Sequence, residues 1–323
     1  MTAKDFLRER LPPLYRMLFR LRHSRRCVAT IGAYRRAKFA LAERVNGGVC
    51  AFDIAGAMGF GATLSHVLVL LDYCDRRGLV PVIRTSNRFY RRPERRPKDW
   101  FGDFFASLNR SRQKRPYFLY ARVQCNEDYP RVFADSIDIA RAHAIFHKYV
   151  AISDEAIGIA DAFARTHFKK RTLGVHYRGT DKLPEAPRVA WESVEAAVRE
   201  VIAADPEIAA VFVTSDEAEF LRWFARQGFG VEQHSYDWQE VAIGGRAIHV
   251  SDGDRRRKGL EALVTILLLA KCDTVVRTPS HLSAWAKILN PEQEVVMLAR
   301  PYEAAMAFPE RPIWEGRRRV TAQ

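Results

Sequence analysis

The chain has 323 residues, a net charge of +14 and 48% apolar residues. That length suits two ordinary domains better than one large one, and that apolar share excludes a long disordered protein. Five scattered cysteines with no C-x-x-C pair exclude a disulfide framework and a structural zinc site, and they fit a reducing compartment.

Residues 1–45 form a basic segment with twelve Lys/Arg against three acids. After Pro12 and Pro13 a helix is predicted, with Leu14, Leu18 and Leu21 on one face, Met17 beside them, and Arg16 and Arg20 opposite. Such a stripe either packs on the protein body or lies on an anionic membrane surface. Arginines interrupt the apolar residues too often for a signal peptide. The longest apolar run, ALVTILLLA at 262–270, is too short for a bilayer of about 30 Å. The expectation is a cytoplasmic protein, with residues 1–45 able to rest on the inner face of a membrane. A second basic block, RTSNRFYRRPERRPKDW, covers 84–100.

From Asn46 the pattern becomes strand, glycine-rich turn (Gly56, Gly59, Gly61), amphipathic helix, and a second strand near 79–84: a βαβ opening and hence a parallel sheet. DWFGDFFASL reads as a short helix. SDEAIGIADAFARTHFKK at 153–170 reads as a helix capped by Ser153 or Asp154. Strand TLGVHY follows, then a helix near 190–204, strand AAVFVTS at 209–215 and helix DEAEFLRWFARQG. Helix GLEALVTILLLAKC, strand DTVVRT and helix PSHLSAWAKIL complete the series. The predicted fold is α/β with two Rossmann-like units facing across a cleft. Residues 1–45 are the extension, 46–150 the N-terminal Rossmann-like unit and 151–323 the C-terminal one.

In open α/β sheets ligands sit beyond the carboxyl ends of the strands, so the residues after each strand are the candidates. His176, Arg178, Asp181 and Lys182 follow the strand TLGV. A guanidinium at a strand tip offers a rigid fork of donors to two phosphate oxygens; Arg178 either takes that role or pairs with Asp181. Ser215, Asp216 and Glu217 follow the next strand, Asp216 as a donor contact or all three as the cap of the next helix. Thr278, Pro279, Ser280 and His281 open the helix after the third, as an anion site or as a cap. The turn at Gly59 and Gly61 fits neither G-x-G-x-x-G nor a Walker pattern, and serves as a tight turn or a binding loop. SDGD at 251–254 resembles a metal-holding D-x-D, but the RRRK after it opposes a cation. His143 and His147 can share a helix face without completing a metal site. No metal is expected.

GVHYRGTDK resembles the H-x-R-x-T-D-K signature of the α1,6-fucosyltransferase superfamily. GFGATLSHVLVLLDYCDRRGLVPVI, VFVTSDEAEFL and EALVTILLLAKCDTVVRTPSHLSAWAKIL are similar to further stretches of that family, in the same order, over roughly 48–290. The resemblance implies a GT-B-like fold and inverting, metal-independent transfer of fucose from GDP-fucose to a glycan hydroxyl, with no cofactor beyond the donor. Arg178 would hold the β-phosphate, His176 would lie near the nucleoside, and Ser280 would face the phosphates. Glu185 would deprotonate the acceptor, a glycan or lipid-linked saccharide. Gly179 stands where core fucosyltransferases carry a second arginine. Thr265 stands where the family has the acid that pairs with guanine, and Glu261 lies one turn earlier on the same face. These departures motivate a second reading, a transferase using another nucleotide sugar, and a catalytically inactive relative is a third. Nucleic-acid binding has the basic charge in its favour but no recognition motif.

Overall fold

A computed structural model describes residues 33, 37, 40–41, 43–54, 58–86, 89–90, 99–106, 119–121, 137–179, 186–236 and 253–320. The amphipathic stripe at Leu14–Leu21 and most of the basic segment 1–45 lie outside them.

The βαβ opening forms as its pattern dictates. β1 (Val49–Ile54) is buried along its whole length, as a central parallel strand should be, and its one charged residue, Asp53, is paired with Arg84 of β2. α1 (Phe60–Arg76) crosses over to β2 (Val80–Thr85), and Gly78 at φ +63° makes the left-handed turn between them. With β4 (Leu119–Ala121) the strands form a parallel sheet in the order β2-β1-β4. The DWFGDFF stretch becomes a 3-10 turn at Phe101–Asp103 and a short strand β3 (Phe105–Ala106), not the expected helix. β3 pairs antiparallel with β5 (Ala151–Ile152). Its aromatics wrap the start of α1. Phe60 lies 5.4 Å from each of the Tyr90, Trp100 and Phe104 rings.

The second sheet is also parallel, with the order β10-β9-β6-β7-β8. Its strands are β6 (Arg171–Tyr177), β7 (Ile208–Ser215), β8 (Glu232–Ser235), β9 (Thr274–Arg277) and β10 (Glu294–Met297). The helices are α2 (Ile139–Tyr149), α3 (Asp154–His167), α4 (Trp191–Ala204), α5 (Ala218–Phe224), α6 (Arg255–Ala270), α7 (His281–Leu289) and α8 (Glu310–Glu315). Ser153 caps α3 as expected. Asp254 caps α6, accepting from Arg256 and Arg257 N–H at 2.9 and 3.2 Å, so the acid of SDGD that is described serves a helix start.

The chain runs from β6 outward to β7 and β8, then returns to place β9 on the other side of β6. The strand order therefore reverses between β6 and β9. That reversal is where an open α/β sheet leaves a crevice beyond its strand ends. One face of the sheet is covered by a core of Leu173, Val175, Tyr177, Val198 and Phe220. The other face shares a larger core with α1, running from Cys50 through Phe60, Leu64 and Trp100 to Leu263, Val275 and Trp285. Apolar packing thus continues across position 150.

Candidate active site at the strand tips

Alternation along β6 sends His176 and Arg178 to one face and Tyr177 to the other. Tyr177 stacks on Phe220 at 4.3 Å and donates its hydroxyl to the Val189 carbonyl at 3.1 Å, which fixes the end of the strand. His176 is buried at 5% exposure, while the Arg178 side chain keeps 19%. The β6 and β9 tips are stitched together: Arg178 N–H donates to Thr278 Oγ1 at 2.8 Å, and Thr278 N–H donates to the His176 carbonyl at 3.1 Å.

Asp216, at the end of β7, serves the same tip. Its Oδ1 accepts Gly179 N–H at 3.1 Å, and its Oδ2 lies 3.9 Å from Arg178 Nε. Tyr90, in a bend beyond the end of β2, completes the surroundings. Burial raises the Tyr90 pKa, opposed by the Phe60 N–H on its hydroxyl and by the Arg178 charge. The guanidinium thus lies where the start of α1, the β7 tip and the β6–β9 switch point converge.

The remaining candidates have well-defined positions. Ser280 Oγ accepts Leu282 N–H at 3.3 Å as the N-cap of α7. Gly59 caps α1 at φ −64°, and its carbonyl takes both the N–H and the hydroxyl of Thr63. A Cβ at Gly61 would stand 2.7 Å from His281 C and Leu282 N, so this glycine lets the first turns of α1 and α7 touch backbone to backbone. The face of Gly61 read as a binding loop is filled by protein. On α6, Glu261 pairs with Arg257 at 2.9 Å, and Thr265 donates to the Glu261 carbonyl at 2.8 Å. Asp181, Lys182 and Glu185 lie outside the described residues.

Gly179 has a steric cause. A Cβ there would run into the Glu217 carboxylate, so no side chain fits while Glu217 keeps its place. Burial raises the Glu217 pKa, and Arg188, 3.4 Å from Oε1, pulls it down.

Two residues escaped the sequence reading. Arg277, the last residue of β9, is fully buried and donates to Ser283 Oγ at 2.9 Å, to the Ser280 carbonyl at 2.7 Å and to Glu310 Oε1 at 2.7 Å. It clamps the Thr278–Ser280 turn that receives Arg178. A charged residue ending an apolar strand was the available signal, but its partner lies 33 positions away. The second is Ser65 on α1, whose Oγ lies 3.0 Å from His281 Nδ1.

No protein-family model matches the chain, and no curated protein matches its sequence. Among solved structures, a NodZ α1,6-fucosyltransferase soaked with GDP-fucose is similar at 18% identity, with a TM-score of 0.51 over 75% of this chain and 93% of that one. Fucosyltransferase NodZ from Bradyrhizobium is similar at 17% identity, with a TM-score of 0.53 over 78% of this chain and 98% of that one. NodZ co-crystallised with GDP gives 0.50 at 17% identity, over 75% and 93% of the two chains. The chain has the fold of the NodZ fucosyltransferases.

Proposed function

We propose that the protein transfers fucose from GDP-fucose to a hydroxyl of a glycan or lipid-linked saccharide, with inversion and without a metal. One observation carries the reading: a partly exposed arginine stands at the sheet's switch point, in a fold shared with NodZ structures soaked with GDP-fucose or co-crystallised with GDP. Arg178 binds the diphosphate and stabilises the charge that grows on it as the sugar departs. Such pre-aimed electrostatic help is often the largest catalytic contribution. Asp216 and Thr278 hold the main-chain N–H groups of Gly179 and Arg178, so the backbone that carries the guanidinium is set before a ligand arrives. His176 lies beside the nucleoside. The proposed setting is the cytoplasm, with residues 1–45 holding the enzyme to an anionic membrane surface near its acceptor.

The direct test compares wild type with Arg178→Ala. The variant loses at least ~100-fold in GDP release from GDP-fucose. Near wild-type turnover in a folded Arg178→Ala protein refutes the role.

A second reading keeps the transferase and changes the base of the nucleotide. It is favoured by α6, where Thr265 is bonded to the Glu261 carbonyl and the Glu261 carboxylate is engaged by Arg257. A thermal-shift panel of GDP, UDP, dTDP and CMP separates the two, since a ligand that binds the native state raises its apparent stability. Stabilisation by UDP or dTDP but not GDP removes fucose from the assignment.

A further inference from the structure

The tip of β9 carries a buried charge where an apolar side chain would serve the core. Arg277 stands in register with Met297 of β10, and side chains in register on neighbouring strands share a face. Met297 packs there with Ala284 of α7 and Ile313 of α8 in an apolar cluster. The counter-charge is Glu310, the first residue of α8, with Oε1 2.7 Å from Arg277 Nη2.

The pair is incompletely bonded. Among the described residues, Arg277 Nη1 and Glu310 Oε2 find no hydrogen-bond partner. A buried ion pair gives up the hydration of two charges for one contact, and well-packed apolar residues of similar volume serve stability as well or better. The case for an arginine here lies in what else its fork reaches.

Those contacts lead to Arg178. Arg277 Nε donates to Ser283 Oγ at 2.9 Å and Nη2 to the Ser280 carbonyl at 2.7 Å, so the guanidinium ties the N-cap of α7 to its first turn. Ser280 ends the turn that begins at Thr278. Thr278 is bonded twice to the tip of β6: its hydroxyl accepts the Arg178 N–H at 2.8 Å, and its own N–H donates to the His176 carbonyl at 3.1 Å. A continuous path therefore runs from α8 through Arg277 and the turn to the backbone that carries Arg178. Methionine at 277 would fill the space, yet it would leave the Ser280 carbonyl only the bonds of its own helix, from Ala284 N–H and Ser283 Oγ.

We infer that Arg277 and Glu310 are positioning residues for turnover: they fix the Thr278–Ser280 turn and, through Thr278, aim Arg178 at the departing diphosphate. The inference rests on the fucosyl-transfer reading. At 1% and 5% exposure, the pair is too deeply buried to meet a ligand and acts only through the turn. Free GDP can follow a displaced arginine, whereas in the transition state the diphosphate is held in line with the anomeric carbon and the nucleophile. Loss of the clamp therefore slows the transfer more than it weakens GDP binding.

The test uses the full chain as wild type, Arg277→Met with Glu310→Leu, Thr278→Val and Thr278→Ser. Calorimetry gives Tm and GDP affinity, and GDP release from GDP-fucose gives kcat and KM. The apolar pair melts within a few degrees of wild type and binds GDP within about threefold, yet kcat falls at least ~10-fold. Thr278→Val breaks the last link with a similar loss of kcat, and Thr278→Ser, which keeps the hydroxyl, retains most of the turnover. Both changes act through one link, so Thr278→Val costs less on the apolar-pair background than in wild type.

A stable apolar-pair variant with wild-type kcat overturns the proposal, as does an equal fall in its kcat and GDP affinity. A fully additive loss from Thr278→Val on that background overturns it too. If the apolar pair does not fold, the threonine variants decide: wild-type kcat in Thr278→Val, or Thr278→Ser as slow as Thr278→Val, overturns it. Wild-type protein that binds no GDP refutes the donor reading itself, an outcome that a wrong role for Arg277 cannot produce.

Discussion

Gly61→Ala is the sharpest probe of the contact between α1 and α7. The added methyl would stand 2.7 Å from two backbone atoms of α7 and 2.8 Å from a third, the His281 carbonyl oxygen. Ordinary carbon contacts need about 3.5–4.0 Å, so the helices must part by roughly 1 Å. No side chain can rotate away, because all three atoms are main chain. Overpacking of this kind costs about 1–3 kcal/mol, and a backbone clash belongs at the upper end. Parting the helices also stretches the bond of the single Trp285 Nε1–H, shared between Gly61 O and Ser65 Oγ and worth about 1 kcal/mol. Against this, alanine gains about 1 kcal/mol of helix propensity over glycine. The net loss is about 3 kcal/mol, a fall in Tm of roughly 6–12 °C at about 2–4 °C per kcal/mol. Gly158→Ala is the internal control. Gly158 is exposed on α3, a Cβ there meets nothing within 4 Å, and the substitution raises stability by about 0.5–1 kcal/mol. Calorimetric melting of both variants checks the pair. A Gly61→Ala protein as stable as wild type would refute the backbone-to-backbone contact.

Three further outcomes follow from the same geometry. Glu310→Ala strands Arg277 in the interior and costs about 3–5 kcal/mol in denaturant unfolding, whereas Arg277→Met with Glu310→Leu recovers most of that loss. Gly179→Ala destabilises by about 1 kcal/mol through the Glu217 carboxylate. In a double-mutant cycle the same change on a Glu217→Ala background costs less, and strict additivity would contradict the contact. His66 has a folded pKa near 4, below the ordinary value near 6.5, so the unfolded chain binds more protons between those values. Stability therefore falls as pH drops from 6.5 toward 4, by up to about 3 kcal/mol, and His66→Gln flattens that slope in urea titrations at stepped pH.

Local signals carried much of the fold. β1, α1 and β2 were legible because apolar strand, glycine break and 3.6-residue periodicity follow one another without interruption. The strand ending at Tyr177 was legible because its charged tip stood out against an apolar run, and the same contrast singled out Arg178 as a candidate. The signal was weaker where pairing partners decide. GluValValMet of β10 is four residues long, its place on the sheet edge depends on β9, and it was not read. Residues 101–106 are aromatic enough to suggest a helix, yet they turn and pair with β5 because the ring cluster around Phe60 holds them.

The site divides in the same way. Strand order, and with it the switch point between β6 and β9, is a long-range property that no window of residues contains. Gly61 looked like a ligand-facing turn because the sequence holds no trace of the helix 220 positions later that fills its open side. Asp216 looked like a cap or a ligand contact, whereas its carboxylate serves Gly179 and Arg178 on the neighbouring strand. Arg277 and Glu310 each read as an ordinary charge, and only folding makes them a clamp.

Because a single apolar interior runs from Cys50 to Trp285, neither half of the molecule is an interchangeable part. A chain severed near position 150 would leave two fragments, each with a raw greasy flank and half of the Ser65–His281–Trp285 junction. Chimeras that graft one half of a NodZ-like protein onto the other half of this one must transplant the matching helix surfaces as well, or the hybrids will aggregate before any donor is tried.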